Sequence, residues 1–308
     1  MKIQAFNPFL PSYEYIPDAE PYVFGSRVYV YGSHDRFDGE DFCMNDYVCW
    51  SAPIDDLGAW KKERVIYRSV QDPLNEDGTQ HLFAPDVQVG EDGRYYLFYC
   101  LHRSSTVSVA VCDEPAGEYQ FYGHIRYADG ILYGQKQGDV FNFDPGVLKD
   151  DDGRIYLYTG LSYLKDAPMR KYLAGMFQID GSYCVELDKD MLTLKSEPVL
   201  AVPGEVLAEG TDFEGHGFFE ASSPRKINGR YYMIYSSVKS HDLCYAVSES
   251  PVKGFRYGGI IVSIGDIGIV EEEQAVNYLS NTHGGLVEIE GQWYVFYHRC
   301  SRGCQQYR

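Results

Sequence analysis

The sequence predicts an all-β chain folded as a five-bladed β-propeller, and three observations carry that prediction. Tyr (28), Phe (16) and Gly (31) are abundant, a composition suited to half-buried pleated strands and tight turns. Stretches with helical apolar periodicity are scarce, the best being EEEQAV at residues 271–276. A hairpin pattern recurs five times along the 308 residues, a length that buries about three quarters of the unfolded surface.

The first copy lies in IPDAEPYVFGSRVYVYGSHD, residues 16–35, where PYVF and RVYVY flank a Gly-Ser turn. The others are PDVQVGEDGRYYLFYC (85–100), DPGVLKDDDGRIYLYTG (144–160), SSPRKINGRYYMIYSS (222–237) and GGLVEIEGQWYVFYHR (284–299). Their turn glycines, Gly25, Gly93, Gly153, Gly229 and Gly291, are 68, 60, 76 and 62 residues apart. Further strand-like runs follow the hairpins, such as TVSVAVCDE, YQFYGHIRY and LCYAVSES. A hairpin plus two strands makes a four-stranded antiparallel sheet with two apolar faces, which only stacking on its own copies can hide. Radial stacking gives the propeller, with a β-sandwich as the rival. Only 17 residues follow Gly291, so the last blade is expected to be incomplete and the single domain, 1–308, to be truncated at its C-terminus.

The net charge of −18 argues against nucleic acid or an anionic membrane as partner, since both need a basic patch. No apolar run approaches the length of a membrane span or a signal peptide, so the expected compartment is the cytoplasm. Cys49, Cys100, Cys112 and Cys244 fall inside strand-like runs, where free thiols pack as small hydrophobes. Cys300 and Cys304 have no second Cys or His pair to complete a zinc finger. KDDDGR (149–154) and EEE (271–273) read as solvated turn and surface charge, and no phosphate-binding loop or serine nucleophile elbow is present.

Counted back from the turn glycines, the polar residue heading each first strand is Asp18, Asp86, Asp144, Glu220 and His283. In a propeller the first strands line the central axis, so these five side chains are expected to converge. Asp18, Asp86 and Asp144 each adjoin or neighbour proline in ways that also suit simple turn formers. Glu220, after two Phe in GHGFFEASS, predicts a carboxyl in a half-apolar setting. Grouping like charges is costly and raises the pKa of one member, so folding alone would not select the ring. One carboxyl kept protonated opposite another kept ionised suits glycoside hydrolysis. Phe83, Phe143, Phe219 and Trp50 are candidate faces for sugar stacking.

Together NPFLPSYEYIPDAEPYVF, FAPDVQVGEDGRYYLFY, FDPGVLKDDDGRIYLYTG, HGFFEASSPRKINGRYYMIYSS and NTHGGLVEIEGQWYVFYHR resemble glycoside hydrolase family 43 over essentially the whole chain. The resemblance implies a five-bladed propeller that acts by inversion on arabinose- and xylose-containing polysaccharides. It implies that Asp18 is the general base, Glu220 the general acid, and Asp144 the carboxylate that raises and orients the acid. Asp86, Phe83, Phe143, Phe219 and His283 then fall among the substrate-binding positions. No cofactor is required for the chemistry. His283 matches an axial histidine that lies near an ion, often Ca2+, held directly or through water. Phe83 stands where the family usually has Trp, which weakens the stacking argument at that position. The expected activity is release of L-arabinofuranose from pentose-containing oligosaccharides, with β-xylosidase as the alternative. A non-catalytic carbohydrate-binding propeller does not explain carboxyls in register, and a metal-dependent hydrolase needs more histidines than the ring supplies.

Overall fold

All five turn glycines take the left-handed backbone that their hairpins require, with φ of 62° at Gly25, 80° at Gly93, 83° at Gly153, 78° at Gly229 and 80° at Gly291. At Asn228-Gly229 and Glu290-Gly291 both loop residues have positive φ, the two-residue turn whose twist matches the strands it joins. The computed structural model describes residues 7–239, 241–263 and 282–299. The helix expected at 271–276 and the Cys300/Cys304 pair lie outside these residues.

Each of the first four hairpins is the inner half of a four-stranded antiparallel sheet. The first sheet runs β1 (Glu20–Phe24), β2 (Arg27–Tyr31), β3 (Tyr47–Pro53), β4 (Lys61–Tyr67). The second runs β5 (Leu82–Val89), β6 (Tyr95–Leu101), β7 (Val107–Cys112), β8 (Gln120–His124). In the third, β9 (Gly146–Lys149), β10 (Ile155–Ser162), β11 (Asp180–Leu187) and β12 (Val199–Pro203) pair in order, with the short helix α1 (Pro168–Leu173) between β10 and β11. A second short helix, α2 (Glu205–Ala208), leads to the fourth sheet, β13 (Phe218–Ile227), β14 (Arg230–Ser237), β15 (Leu243–Ser248) and β16 (Arg256–Val262). The described part of the fifth is the hairpin β17 (Gly284–Ile289) and β18 (Gln292–Tyr297).

The first strands stand side by side around an axis: β1 beside β5, β5 beside β9, β9 beside β13, β13 beside β17 and β17 beside β1. A parallel bridge between Ala19 and Gly284 helps to close the ring. The apolar cores lie between blades, as the stacking argument requires. Phe98, Val109, Leu157 and Val185 join the second blade to the third, and Tyr158, Val202, Met233 and Ala246 the third to the fourth. Tyr31, Cys49, Leu97 and Tyr99 join the first to the second, and Val28, Val30, Val287 and Phe296 the fifth to the first. Strand β10 is therefore buried along its whole length, whereas the outer strand β16 alternates exposed and half-buried residues. Tyr is useful between blades because its ring fills the gap while its hydroxyl finds a partner, as where Tyr67 and Tyr99 meet at 2.7 Å and Tyr99 donates to Asp72. The six described cysteines are free thiols, five of them buried. Among the described residues no helix is long and apolar enough to cross a membrane.

Candidate active site

A cavity of about 590 Å³ opens at one end of the axis, and Asp18, Asp144 and Glu220 all line it. Three strand heads deliver them. Asp18 and Asp144 have positive φ, 60° and 46°, just before their strands enter the channel. Glu220 sits at a bulge: β13 places Glu220 opposite Ser236 but Ser223 opposite Ile234, so three residues span what two span on β14.

The same bulge corrects the expected ring. In β5, Phe83 pairs with Cys100 and Asp86 with Phe98, so Phe83 matches Glu220, and Ala84, with φ of 22°, matches Ala221, with φ of 73°. Asp86 is therefore two residues past the site register. It lies one layer down the channel, fully buried, and is absent from the cavity wall. Its carboxyl accepts from the Tyr22 hydroxyl (2.5 Å) and from the backbone N–H groups of Val87 (2.7 Å) and Val147 (2.6 Å). Burial, then the Glu20 charge, pushes Asp86 up to about 7.

His283 is also buried, beneath the carboxyls rather than on the cavity wall. Its Nδ1 lies 3.6 Å from Asp18 Oδ1 and 3.7 Å from Asp144 Oδ2, and its Nε2 lies 3.7 Å from Glu20 Oε1. Burial opposes charge on the ring, but the neighbouring Glu20 and the charges of Asp18 and Asp144 prevail and raise His283 to about 9. With carboxylates facing both ring nitrogens, the surroundings suit an imidazolium. Ca2+ takes oxygen ligands, so the imidazole itself does not fit direct Ca2+ ligation.

Burial is also the largest influence on the two inner acids. It raises Glu220 well above the usual carboxyl range, with the charges of Asp144 and Asp18 adding to it and His283 opposing. Asp144 rises to about 7 through burial and Asp18, against the pull of His283. Asp144 Oδ2 accepts the N–H of Ala221 at 3.1 Å, which ties it to the residue next to Glu220. Asp18 is differently placed: its Oδ2 accepts from Ser33 at 2.5 Å, and Ser33 Oγ in turn accepts from Ala84 N at 2.8 Å.

Of the aromatic candidates, Phe83 and Phe143 line the cavity with ring centroids 5.7 Å apart. Phe219 does not; it backs the lining residue Tyr163 edge-on at 5.9 Å. Trp50 is a core residue of β3 whose indole N–H donates to Glu14 at 3.0 Å. The bulge turns neighbouring side chains to different sides, which a count from the turn glycine does not register.

Sequence reasoning also missed three residues. His298 lines the cavity and its Nδ1 accepts the Asp18 backbone N–H at 3.0 Å. Buried Glu20 and half-buried Arg225 form a pair in the channel, Arg225 Nη2 donating to Glu20 Oε2 at 2.6 Å, with Ser223 also donating to that oxygen at 3.0 Å. Period-two spacing was the available signal: Glu20 follows Asp18 by two, and Arg225 follows Ser223 by two. At the matching layer of the fifth blade stands Gly285, where a Cβ would come within 2.6 Å of Glu20 Oε2 and 2.8 Å of Arg225 Nη2.

The profile of Glycosyl hydrolases family 43 matches residues 7–308. The Thermoclostridium stercorarium protein named Xylosidase/arabinosidase is 55% identical over 306 residues, which is 98% of this chain and 62% of that protein. This chain thus spans less than two thirds of that relative's length. The Xylanibacter ruminicola Beta-xylosidase is 32% identical over 93% of this chain and 88% of its own. Among solved structures, the Xanthomonas citri GH43_1 enzyme complexed with xylose superposes with a TM-score of 0.68 at 25% identity, over 94% of this chain and 83% of that one. An alpha-L-arabinofuranosidase from Clostridium thermocellum gives 0.65 at 26% identity, over 92% and 82%.

Proposed function

The chain belongs to glycosyl hydrolases family 43, and on that premise we propose that it is an inverting glycosidase releasing L-arabinofuranose from arabinoxylan- or arabinan-derived oligosaccharides. The observation that carries the reading is the shared cavity of Glu220, a buried carboxyl held toward its protonated form, and Asp18, a carboxyl braced by Ser33. In this reading Glu220 gives its proton to the glycosidic oxygen as the bond to the anomeric carbon breaks. Asp18 takes a proton from the water that attacks the opposite face, so the configuration inverts. Asp144 holds Glu220 protonated and in place, and Phe83 and Phe143 offer apolar faces to the sugar. His283 acts beneath the site, as a positive charge positioning Asp18 and Asp144.

A second reading, release of D-xylose from xylo-oligosaccharides, is favoured by the names of the 55% and 32% identical relatives, which include xylosidase activity. Both pentoses would present a small ring to one cavity. The test is hydrolysis of 4-nitrophenyl α-L-arabinofuranoside and β-D-xyloside, with the anomer of the released sugar followed by NMR. Inverted product from the arabinofuranoside supports the first reading, and inverted xylose alone supports the second. Retained configuration, or no hydrolysis of either by the folded protein, overturns both.

A further inference from the structure

We propose that Asp41, His81 and His102 form a binding site for a divalent transition-metal ion of the zinc class at the mouth of the cavity, separate from the carboxyl cluster. The topology builds the pair of imidazoles. His81 immediately precedes β5 and His102 immediately follows β6, and Leu82 and Leu101 are the last paired residues between them. The hairpin therefore sets the two histidines opposite one another, joined by the bond from His102 N to His81 O at 2.9 Å, with rings stacked at 5.5 Å and 24°. Asp41 arrives from the segment between β2 and β3. Its Oδ1 accepts the Phe42 N–H at 2.8 Å, which turns Oδ2 toward the histidines.

The three candidate donor atoms all lie within 4.8 Å of one another. Asp41 Oδ2 is 3.8 Å from His81 Nδ1 and 3.9 Å from His102 Nδ1. Both separations are too long for hydrogen bonds, and His81 Nδ1 is buried without a hydrogen-bond partner, so a polar atom aimed at Asp41 is left unsatisfied. In a tetrahedral zinc site, neighbouring N and O donors stand about 3.3 Å apart, so a contraction of about half an ångström per contact brings these atoms around an ion. Two imidazoles among three donors select zinc, cobalt or nickel over Ca2+ or Mg2+, which take oxygen. The bound ion would pin the segment carrying Phe42 and Cys43, two cavity-lining residues, to the second blade.

The test uses the whole chain stripped with a chelator and titrated with Co2+, whose visible absorption reports coordination, followed by Zn2+ displacement and calorimetry. The expected result is one saturable Co2+ band per chain, displaced by Zn2+, with a higher melting temperature in Zn2+. His81→Ala/His102→Ala loses the band and the thermal shift, and Asp41→Asn, nearly isosteric, weakens binding at least about tenfold. Wild-type protein without a saturable band overturns the proposal, as does an undiminished band in the double variant or in Asp41→Asn.

Discussion

The backbone N–H of Ala221 donates to Oδ2 of Asp144 at 3.1 Å, so the bulge that presents Glu220 also fixes a carboxyl whose charge helps to raise the Glu220 pKa. Burial is the larger cause of that rise and the Asp144 charge the second. Asp144→Asn keeps an oxygen for Ala221 but removes the charge. The Glu220 pKa should then fall, and the alkaline limb of kcat against pH should move to lower pH. An unchanged limb in a folded variant would separate Asp144 from the acid's titration.

Glu220→Gln should lower kcat by about 10²- to 10⁴-fold on an oligosaccharide whose leaving group needs a proton. The loss should be smaller on an aryl glycoside with an acidic phenol, which departs with little help. Asp18→Asn removes water activation instead, so its loss should be similar on both substrates. Steady-state kinetics on the two substrate types reads the difference, and matching leaving-group dependence in both variants would contradict the assigned roles.

The propeller was legible because its evidence is repeated five times: each hairpin carries its own glycine, and an error in one copy leaves four. The site was legible only in part because a single residue of register decides which side chain faces the cavity. Counting back from Gly93 reached Asp86 and stopped short of Ala84 and Phe83, the true counterparts of Ala221 and Glu220, since a β-bulge inserts a residue without any sequence signature. Asp18 and Asp144 survived the count because their strand heads share the positive-φ geometry that Asp tolerates. Arg225 and Glu20 were missed for a different reason, since period-two spacing alone does not pair them. A basic residue in SSPRKING reads as a turn-flanking surface charge, and only the closed ring makes it the counter-charge of an acid 205 residues away.

The buried titratable groups give stability a definite pH dependence. Asp86 and Asp144 sit at about 7, above the ordinary Asp value of 3.8, so between those values the folded chain keeps protons that the unfolded chain has released. Stability therefore falls as pH rises through that window. His283, raised from 6.5 to about 9, adds stability that is fully present below 6.5 and is lost as pH rises through 9. Glu20 works the other way. Burial opposes its charge, but Arg225 and His283 hold its pKa below the usual value, so its contribution is lost only in acid. The melting temperature should be higher at pH 5 than at pH 9. Thermal denaturation at both values in one buffer mixture checks this, and an equal or higher melting temperature at pH 9 would contradict it.

The Glu20–Arg225 pair should behave as a unit. Glu20 is buried in the channel and Arg225 nearly so, Arg225 donates to Glu20 at 2.6 Å and to Leu286 O at 2.8 Å, and its guanidinium lies 4.9 Å over the Tyr22 ring. Taking both ions out of water is expensive, and their mutual attraction only offsets that cost, so the pair contributes little net stability although each half depends on the other. Arg225→Met leaves Glu20 and Asp86 as uncompensated buried acids, and should destabilise the chain by about 3–5 kcal/mol. Glu20→Gln strands the guanidinium and should cost a similar amount. The double variant should be more stable than the sum of the single losses predicts, with a coupling of about 1–3 kcal/mol in urea denaturation. Additive losses would mean that the two side chains act independently, each held by its other partners.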